Sequence, residues 1–446
     1  MSESALIVNL TRPPMLLGQL RLPSDKSISH RALIANALAG GPAVIQLHAP
    51  GDDVRSTIHC LRQLGVQIIE SASDDGALQV RLEGKPIKDQ AVLDCGNSGT
   101  TMRLLAGALA GFPLTVTLDG DESLRARPME RVLIPLRQMG VQLAQSSNGY
   151  APLRLTGDSS LQAIQYQLPL ASAQLLGAIM LAGLSAEGVT QVVSPGPMRD
   201  HTQRLLAQMG ADIRDDGFTT SLRGPVALRP YSLTVPGDLS AAAPWLVAAS
   251  VHPQARLHLI GVSLNPTRLG LIRVLRRMGA KITIRQRAAG AEPFGNISVS
   301  STGRLKSVQI EAAEAADLID ELPLLAVAMA SVDGVSKVRG ASELRVKESD
   351  RIATVAAGLA SIGANVEELG DGWNIRRGRL NVAPAQIATH NDHRIAMAFA
   401  IARIGGVSGP VHLDNYDCVN ISYPSFWQDL AQVCQTASKA RSEEQR

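Results

Sequence analysis

Cations recur in this chain beside short runs of small polar residues, an arrangement suited to gripping phosphate and carboxylate groups. Lys26 and Arg31 flank Ser27 after Leu22-Pro-Ser-Asp25, and Arg103 follows Gly96-Asn-Ser-Gly-Thr-Thr101. Arg125 and Arg127 lie in Gly120-Asp-Glu-Ser-Leu-Arg-Ala-Arg-Pro128, and Arg199 in Met198-Arg-Asp-His201. Lys347 and Arg351 belong to Arg345-Val-Lys-Glu-Ser-Asp-Arg351, and Arg394 ends Asn391-Asp-His-Arg394. Singly, each is a solvated charge or a surface pair worth under about 1 kcal/mol. Together they stand where helices should begin, and a cation there opposes the helix dipole. A bound small anion removes that conflict.

Carboxylates stand among these cations. Asp320 and Glu321 precede Pro323, while Glu348 and Asp350 lie between Lys347 and Arg351. Two readings stay open for each. Asp320 either caps the helix after it or transfers protons, its pKa tuned by cationic neighbours. Glu348 either pairs with Arg351 three residues on along a helix surface or shares that proton-transfer role. In the glycine motif, Ser98 or Thr100 caps a helix, or Gly99 lets an anion approach the backbone closely. It is not a Walker loop, because no Lys-Ser or Lys-Thr follows at the required spacing. His390 and His393 lack a third ligand at zinc spacing, and Asp392 is expected to cap the helix near Arg394. No Gly-x-Ser-x-Gly elbow is present.

The elements that must position these residues repeat. An amphipathic run ends in glycine at 65, 140, 210, 279 and 363, each followed by alternating strand-like residues. A longer repeat relates Arg21-Leu-Pro-Ser-Asp-Lys-Ser27 to Thr234-Val-Pro-Gly-Asp-Leu-Ser240, 213 residues later. It divides the chain into one domain over 21–237 and another over 238–446, with 1–20 returning to the second as a strand. In each half, three polar motifs precede three helices that are apolar all round and therefore buried. The predicted architecture is α/β, two domains of three βαβαββ units each, with mixed sheets around buried helices. Cations come from both halves, so the expected site is the cleft between them.

Composition narrows the function. At 446 residues, two sizeable cores are possible, built from 45% hydrophobic but only 3% aromatic residues. The net charge of +3 is too balanced for gripping long nucleic acid, and aromatic stacking platforms are scarce. No apolar stretch reaches the roughly 18 residues of a membrane span. The N-terminus lacks the basic region of a secretory signal, and Ala437 to Arg446 reads as a polar, frayed tail. Cys60, Cys95, Cys418 and Cys434 are scattered, as expected of a reducing cytoplasm.

Seven motifs, among them Leu22 to Arg31, Gly96 to Thr100, Arg125 to Pro128, Ala171 to Gln174 and the segments around Asp320, Glu348 and Arg394, resemble the enolpyruvyl transferase family. The resemblance covers about residues 15–430 and implies that family's two-domain fold. It implies transfer of an enolpyruvyl group from phosphoenolpyruvate to the 5-hydroxyl of shikimate 3-phosphate, releasing phosphate. Lys26, Ser27, Arg31, Ser172, Ala173, Gln174, Arg199, Asp320 and Lys347 would hold shikimate 3-phosphate. Lys26, Gly99, Arg127, Gln174, Arg351 and Arg394 would hold phosphoenolpyruvate. Asp320, Glu348 and Lys26 would be the catalytic groups, with no metal, no organic cofactor and a monomeric enzyme. The family's branch acting on UDP-N-acetylglucosamine typically has cysteine where this chain has Glu122. Ser172-Ala-Gln174 and Glu343 resemble the glyphosate-tolerant bacterial subgroup. Tolerance there goes with an alanine in the glycine motif, and this chain keeps Gly99.

Overall fold

The computed structural model describes residues 12–143, 149–288, 290–379, 381 and 383–434; the tail after Ala437 lies outside them. By its contacts the chain divides into two compact units. The first comprises Ser24–Val235 with Gly290–Glu292, and the second Met1–Pro23, Pro236–Ala289 and Pro293–Arg446. Each has its own core of buried aliphatic side chains. Every fully buried leucine contributes roughly 1.5–3 kcal/mol through the water it sheds.

One strand order recurs in five four-stranded sheets among the described residues. In the second repeat of the first unit, Ala91–Asp94 runs parallel to Thr115–Asp119, with Leu93 opposite Leu118. Thr115–Asp119 is antiparallel to Leu153–Thr156, which in turn pairs with Gln142–Leu143. The crossover between the parallel strands is a helix, as a parallel pair requires. Two repeats take their leading strand from a distant part of the chain. Leu16–Arg21 pairs in parallel with Ala255–Ser263, and Leu233–Thr234 with Ala43–Leu47. The last repeat has only the parallel pair Ala385–Ile387 and Val411–Leu413 among the described residues.

The glycine stops behave as their sequence context predicts. Gly65, Gly140, Gly210, Gly279 and Gly363 all have positive φ, from 90° to 108°. A side chain would strain that left-handed turn, so glycine ends each outer helix.

The apolar helices are buried. Gly99–Leu109 and Ala173–Gly183 lie against each other, so close that a β-carbon at Gly107 would fall 2.1 Å from the Ala178 carbonyl oxygen. In the second unit, Leu322–Ala330 is buried at every position, and Leu239–Val251 and His393–Gly405 nearly so. Helices without a polar face cannot turn toward solvent, so their starts are held rigidly. Those starts carry the polar motifs.

Candidate active site

In the first unit, three helix starts bring cations and small polar residues together. Asp25 caps the helix Lys26–Ala39 by accepting from Ile28 N. Lys26, the first residue of that helix, donates from Nζ to Asp53 Oδ2 at 2.9 Å. One turn on, Arg31 donates to the Ser27 carbonyl at 3.0 Å, the Ala173 carbonyl at 3.0 Å and Thr202 Oγ1 at 2.7 Å. These bonds span two other helix starts and fix the guanidinium although it is only 4% exposed. Burial lowers the Arg31 pKa to about 10; Asp25 and Glu292 oppose the drop, and the charge of Arg199 adds to it.

Ser98 is the cap of the glycine helix, accepting from Thr101 N at 3.2 Å. Thr100 instead accepts from Gln174 Nε2 at 2.9 Å, and Gln174 Oε1 accepts from Arg103 Nη1 at 2.8 Å. Arg127 donates to Asn97 Oδ1 at 2.7 Å, just before the same helix. A β-carbon at Gly99 would lie 2.9 Å from Arg103 Nη1 and 3.7 Å from Arg127 Nη1. Glycine therefore leaves room between two guanidinium groups at a helix N-terminus, where backbone N–H groups face outward. Ser172 caps Ala173–Gly183 through Leu175 N. Arg125 stands apart: it is an exposed residue paired with Asp119 at 2.6 Å, an ordinary surface ion pair.

In the second unit the arrangement is acidic as well as basic. Arg351 opens the helix Arg351–Ser361, which Asp350 caps through Ala353 N. Arg351 is buried and meets Asp392 at 2.7 Å, Glu348 at 2.5 Å and Asp320 at 3.7 Å. Burial works against its charge, but Glu348 and Asp392 outweigh it and raise the pKa above the usual arginine value. The surface-pair reading of Glu348 and Arg351 is thereby overturned, because Glu348 precedes the helix and Arg351 is hidden from water. Asp392 caps His393–Gly405 by accepting from Arg394 N at 2.9 Å.

Asp320 is not a cap. The cap position of Leu322–Ala330 is Glu321, which makes no capping bond from its side chain. The Asp320 carboxylate lies 3.7 Å from Arg351 and 3.8 Å from Arg394, and its carbonyl accepts from Arg394 Nη1 at 2.9 Å. Lys347 donates to Glu343 at 2.5 Å. One carboxylate thus faces two guanidinium groups just before a buried helix.

The sequence did not single out Asp53, Asn97, Thr202 or Arg268. Arg268 is buried and donates to Ser240 Oγ at 2.6 Å, whose hydroxyl in turn donates to Glu321. Their partners lie 24 or more residues away, so no local spacing marks them. Among the described residues no group of three His, Cys, Asp or Glu is placed to hold a metal ion.

The chain is similar to known proteins over nearly its whole length. The curated 3-phosphoshikimate 1-carboxyvinyltransferase of Gloeobacter violaceus is 46% identical over 432 residues, 96% of this chain and 99% of that protein. That of Synechocystis sp. is 45% identical, covering 97% of this chain and 98% of its own. Among solved structures, an EPSP synthase from Acinetobacter baumannii superposes with a TM-score of 0.83 at 37% identity, covering 97% of each chain. The enolpyruvyl transferase NikO from Streptomyces tendae shares the fold, with a TM-score of 0.74 at 19% identity over 94% of this chain and 95% of its own. Residues 10–430 match the model of the family described as EPSP synthase (3-phosphoshikimate 1-carboxyvinyltransferase), and the chain belongs to that family.

Proposed function

We infer that this chain transfers the enolpyruvyl group of phosphoenolpyruvate to the 5-hydroxyl of shikimate 3-phosphate, releasing phosphate. It is a transferase of the shikimate pathway, serving chorismate and aromatic amino acid synthesis. The observation that carries the reading is the family match over residues 10–430, which includes every motif described above.

The proposed ligand assignments follow the charges. Both substrates are polyanions, and unit charges about 4 Å apart repel by roughly 4 kcal/mol at an effective dielectric near 20. Lys26, Ser27, Arg31, Ser172, Ala173, Gln174, Arg199, Asp320 and Lys347 bind shikimate 3-phosphate in this proposal. Lys26, Gly99, Arg127, Gln174, Arg351 and Arg394 bind phosphoenolpyruvate. The proposal therefore requires both units to act on one substrate pair, with the ligands in the cleft between domains. One chain supplies all of these residues, so we propose a monomer as the active species. Four free thiols, three of them buried, support a reducing compartment such as the cytoplasm.

The reaction proceeds by addition and elimination. The 5-hydroxyl oxygen bonds to C2 of phosphoenolpyruvate and gives up its proton to a base, while C3 takes a proton from an acid. In the tetrahedral adduct the C2–O bond to phosphate then breaks. Phosphate leaves with the bonding electrons, and loss of a C3 proton restores the double bond. Asp320 and Glu348 are the proposed acid and base, and Lys26 with the arginines stabilises charge moving onto phosphate.

The test is phosphate release from phosphoenolpyruvate with shikimate 3-phosphate, run beside UDP-N-acetylglucosamine as acceptor. Release with the first acceptor alone is expected. Release with only the second would overturn the assignment.

A further inference from the structure

Four buried side chains link the first helix of the first unit to the start of the glycine helix. His30 Nδ1 lies 2.7 Å from Thr57 Oγ1, and Thr57 Oγ1 lies 2.7 Å from Thr101 Oγ1. Thr101 Oγ1 in turn lies 2.7 Å from Ser98 Oγ. All four residues are 0% exposed. None of them is in the ligand sets assigned above.

The chain of bonds has a direction. His30 Nε2 is buried and meets no partner among the described residues. A buried N–H without an acceptor costs more than a bare lone pair, so the ring hydrogen belongs on Nδ1. Nδ1 then donates to Thr57, Thr57 to Thr101, and Thr101 to Ser98. Burial keeps this imidazole neutral, pushing its pKa down to about 3 despite Asp53 and with the help of Lys26 and Arg31. A neutral ring fits a fixed donor.

Both ends of the chain lie on helices that carry residues proposed to hold phosphoenolpyruvate. Ser98 caps the helix that opens with Gly99. His30 lies one turn on from Lys26 in the helix Lys26–Ala39, and Thr57 one turn on from Asp53 in the helix Asp52–Gln63, where the Asp53 carboxylate holds Lys26. The Lys26 ammonium and the glycine turn are thus tied through His30, Thr57 and Thr101.

We propose that His30, Thr57 and Thr101 are positioning residues for phosphoenolpyruvate, holding Lys26 and the Gly99 helix start at one separation through an ordered hydroxyl relay. This inference rests on the function assigned above. Shikimate 3-phosphate shares Lys26 and Gln174 but has most of its assigned contacts, among them Ser172, Ala173, Arg199 and Lys347, outside the relay.

The experiment is steady-state kinetics, with both substrates varied, on Thr57→Val, Thr57→Ser, His30→Leu and His30→Asn. Valine keeps the shape of Thr57 without its hydroxyl. Asparagine can put its side-chain N–H where Nδ1 stands. Thr57→Val and His30→Leu are each expected to raise KM for phosphoenolpyruvate about tenfold, the effect of one buried hydrogen bond to a fixed partner. KM for shikimate 3-phosphate should change by about twofold at most. Thr57→Ser and His30→Asn should restore the wild-type value. A merely structural role would lower the active fraction, hence kcat, and leave both KM values alone; that result overturns the proposal. So does an equal rise in both KM values, or no difference between the paired variants. Wild-type protein without turnover would overturn the functional reading and this inference together, whereas active wild type with unchanged variants overturns this inference alone.

Discussion

Arg351 and Asp392 form a buried two-pronged pair: Nε donates to Oδ2 at 2.7 Å and Nη2 to Oδ1 at 3.2 Å, with the side chains 1% and 0% exposed. Asp392 also accepts from Arg394 N and from Ser349 Oγ at 3.0 Å. One carboxylate therefore holds the guanidinium of Arg351 and the backbone of Arg394, two of the three arginines that we assign to phosphoenolpyruvate. Arg351 and Arg394 alone would repel each other, and Asp320 lies 3.7 Å from one guanidinium and 3.8 Å from the other. Asp392, Glu348 and Asp320 together offset that repulsion before substrate arrives.

Removing this carboxylate should be costly. Asp392→Ala leaves a hidden guanidinium with less compensation and strips the cap from His393–Gly405, so a loss of about 3–5 kcal/mol is expected. Urea unfolding at neutral pH measures it. Burial raises the Asp392 pKa, but the charge and hydrogen bonds of Arg351 outweigh this and hold it below the usual carboxylate range. A depressed folded value contributes stability that is complete above about pH 4 and is lost as pH falls through the folded value. The difference between wild type and Asp392→Ala should therefore shrink only in strong acid.

Lys26→Ala and Arg127→Ala should each lower kcat/KM by about a hundredfold or more, since each removes a fixed cation from developing phosphate charge. Neither side chain belongs to a core, so melting temperatures should stay close to wild type. Asp320→Asn should lower kcat by about 10²–10⁴ with little change in either KM, as expected of a proton-transfer group. Unchanged kcat would leave Asp320 as an electrostatic neighbour of Arg351 and Arg394.

What the sequence made legible followed from backbone geometry. Gly65, Gly140, Gly210, Gly279 and Gly363 were readable as helix stops because few other residues tolerate a left-handed turn. Asp392 was readable as a cap because its partner N–H is two residues away. Pairings across the fold were not readable. Lys26 meets Asp53 27 residues on, Arg31 meets Thr202 after 171, and Arg351 meets Asp392 after 41. No periodicity encodes such distances; only the stacking of separate repeats does. For the same reason Glu348 looked like a helix-surface partner of Arg351 until the helix start and the burial of Arg351 were known.

Gly99→Ala should separate affinity from stability. The added methyl would sit 2.9 Å from the end of Arg103, a flexible group that can move aside. Stability should change by less than about 1 kcal/mol. The space between Arg103 and Arg127 narrows, however, so KM for phosphoenolpyruvate should rise several-fold while KM for shikimate 3-phosphate holds. Kinetics with each substrate varied in turn distinguishes this from a general loss of activity. A wild-type KM for phosphoenolpyruvate would mean that no substrate atom approaches this backbone.

His30 should make the protein sensitive to mild acid. Its folded pKa is about 3, against an ordinary value of 6.5, because burial disfavours the imidazolium. Below pH 6.5 the unfolded chain takes up a proton that the folded chain refuses. Stability therefore falls with falling pH by up to about 1.4 kcal/mol per pH unit, until the folded group itself titrates near pH 3. Above pH 6.5 the contribution is complete. His30→Asn cannot titrate and should lack this component, so its urea midpoint should decline less steeply between about pH 6 and pH 4. The other histidines are common to both proteins and cancel in the comparison. Equal slopes for wild type and variant would mean that the imidazole accepts a proton in place, which would break the direction of the relay from His30 to Ser98.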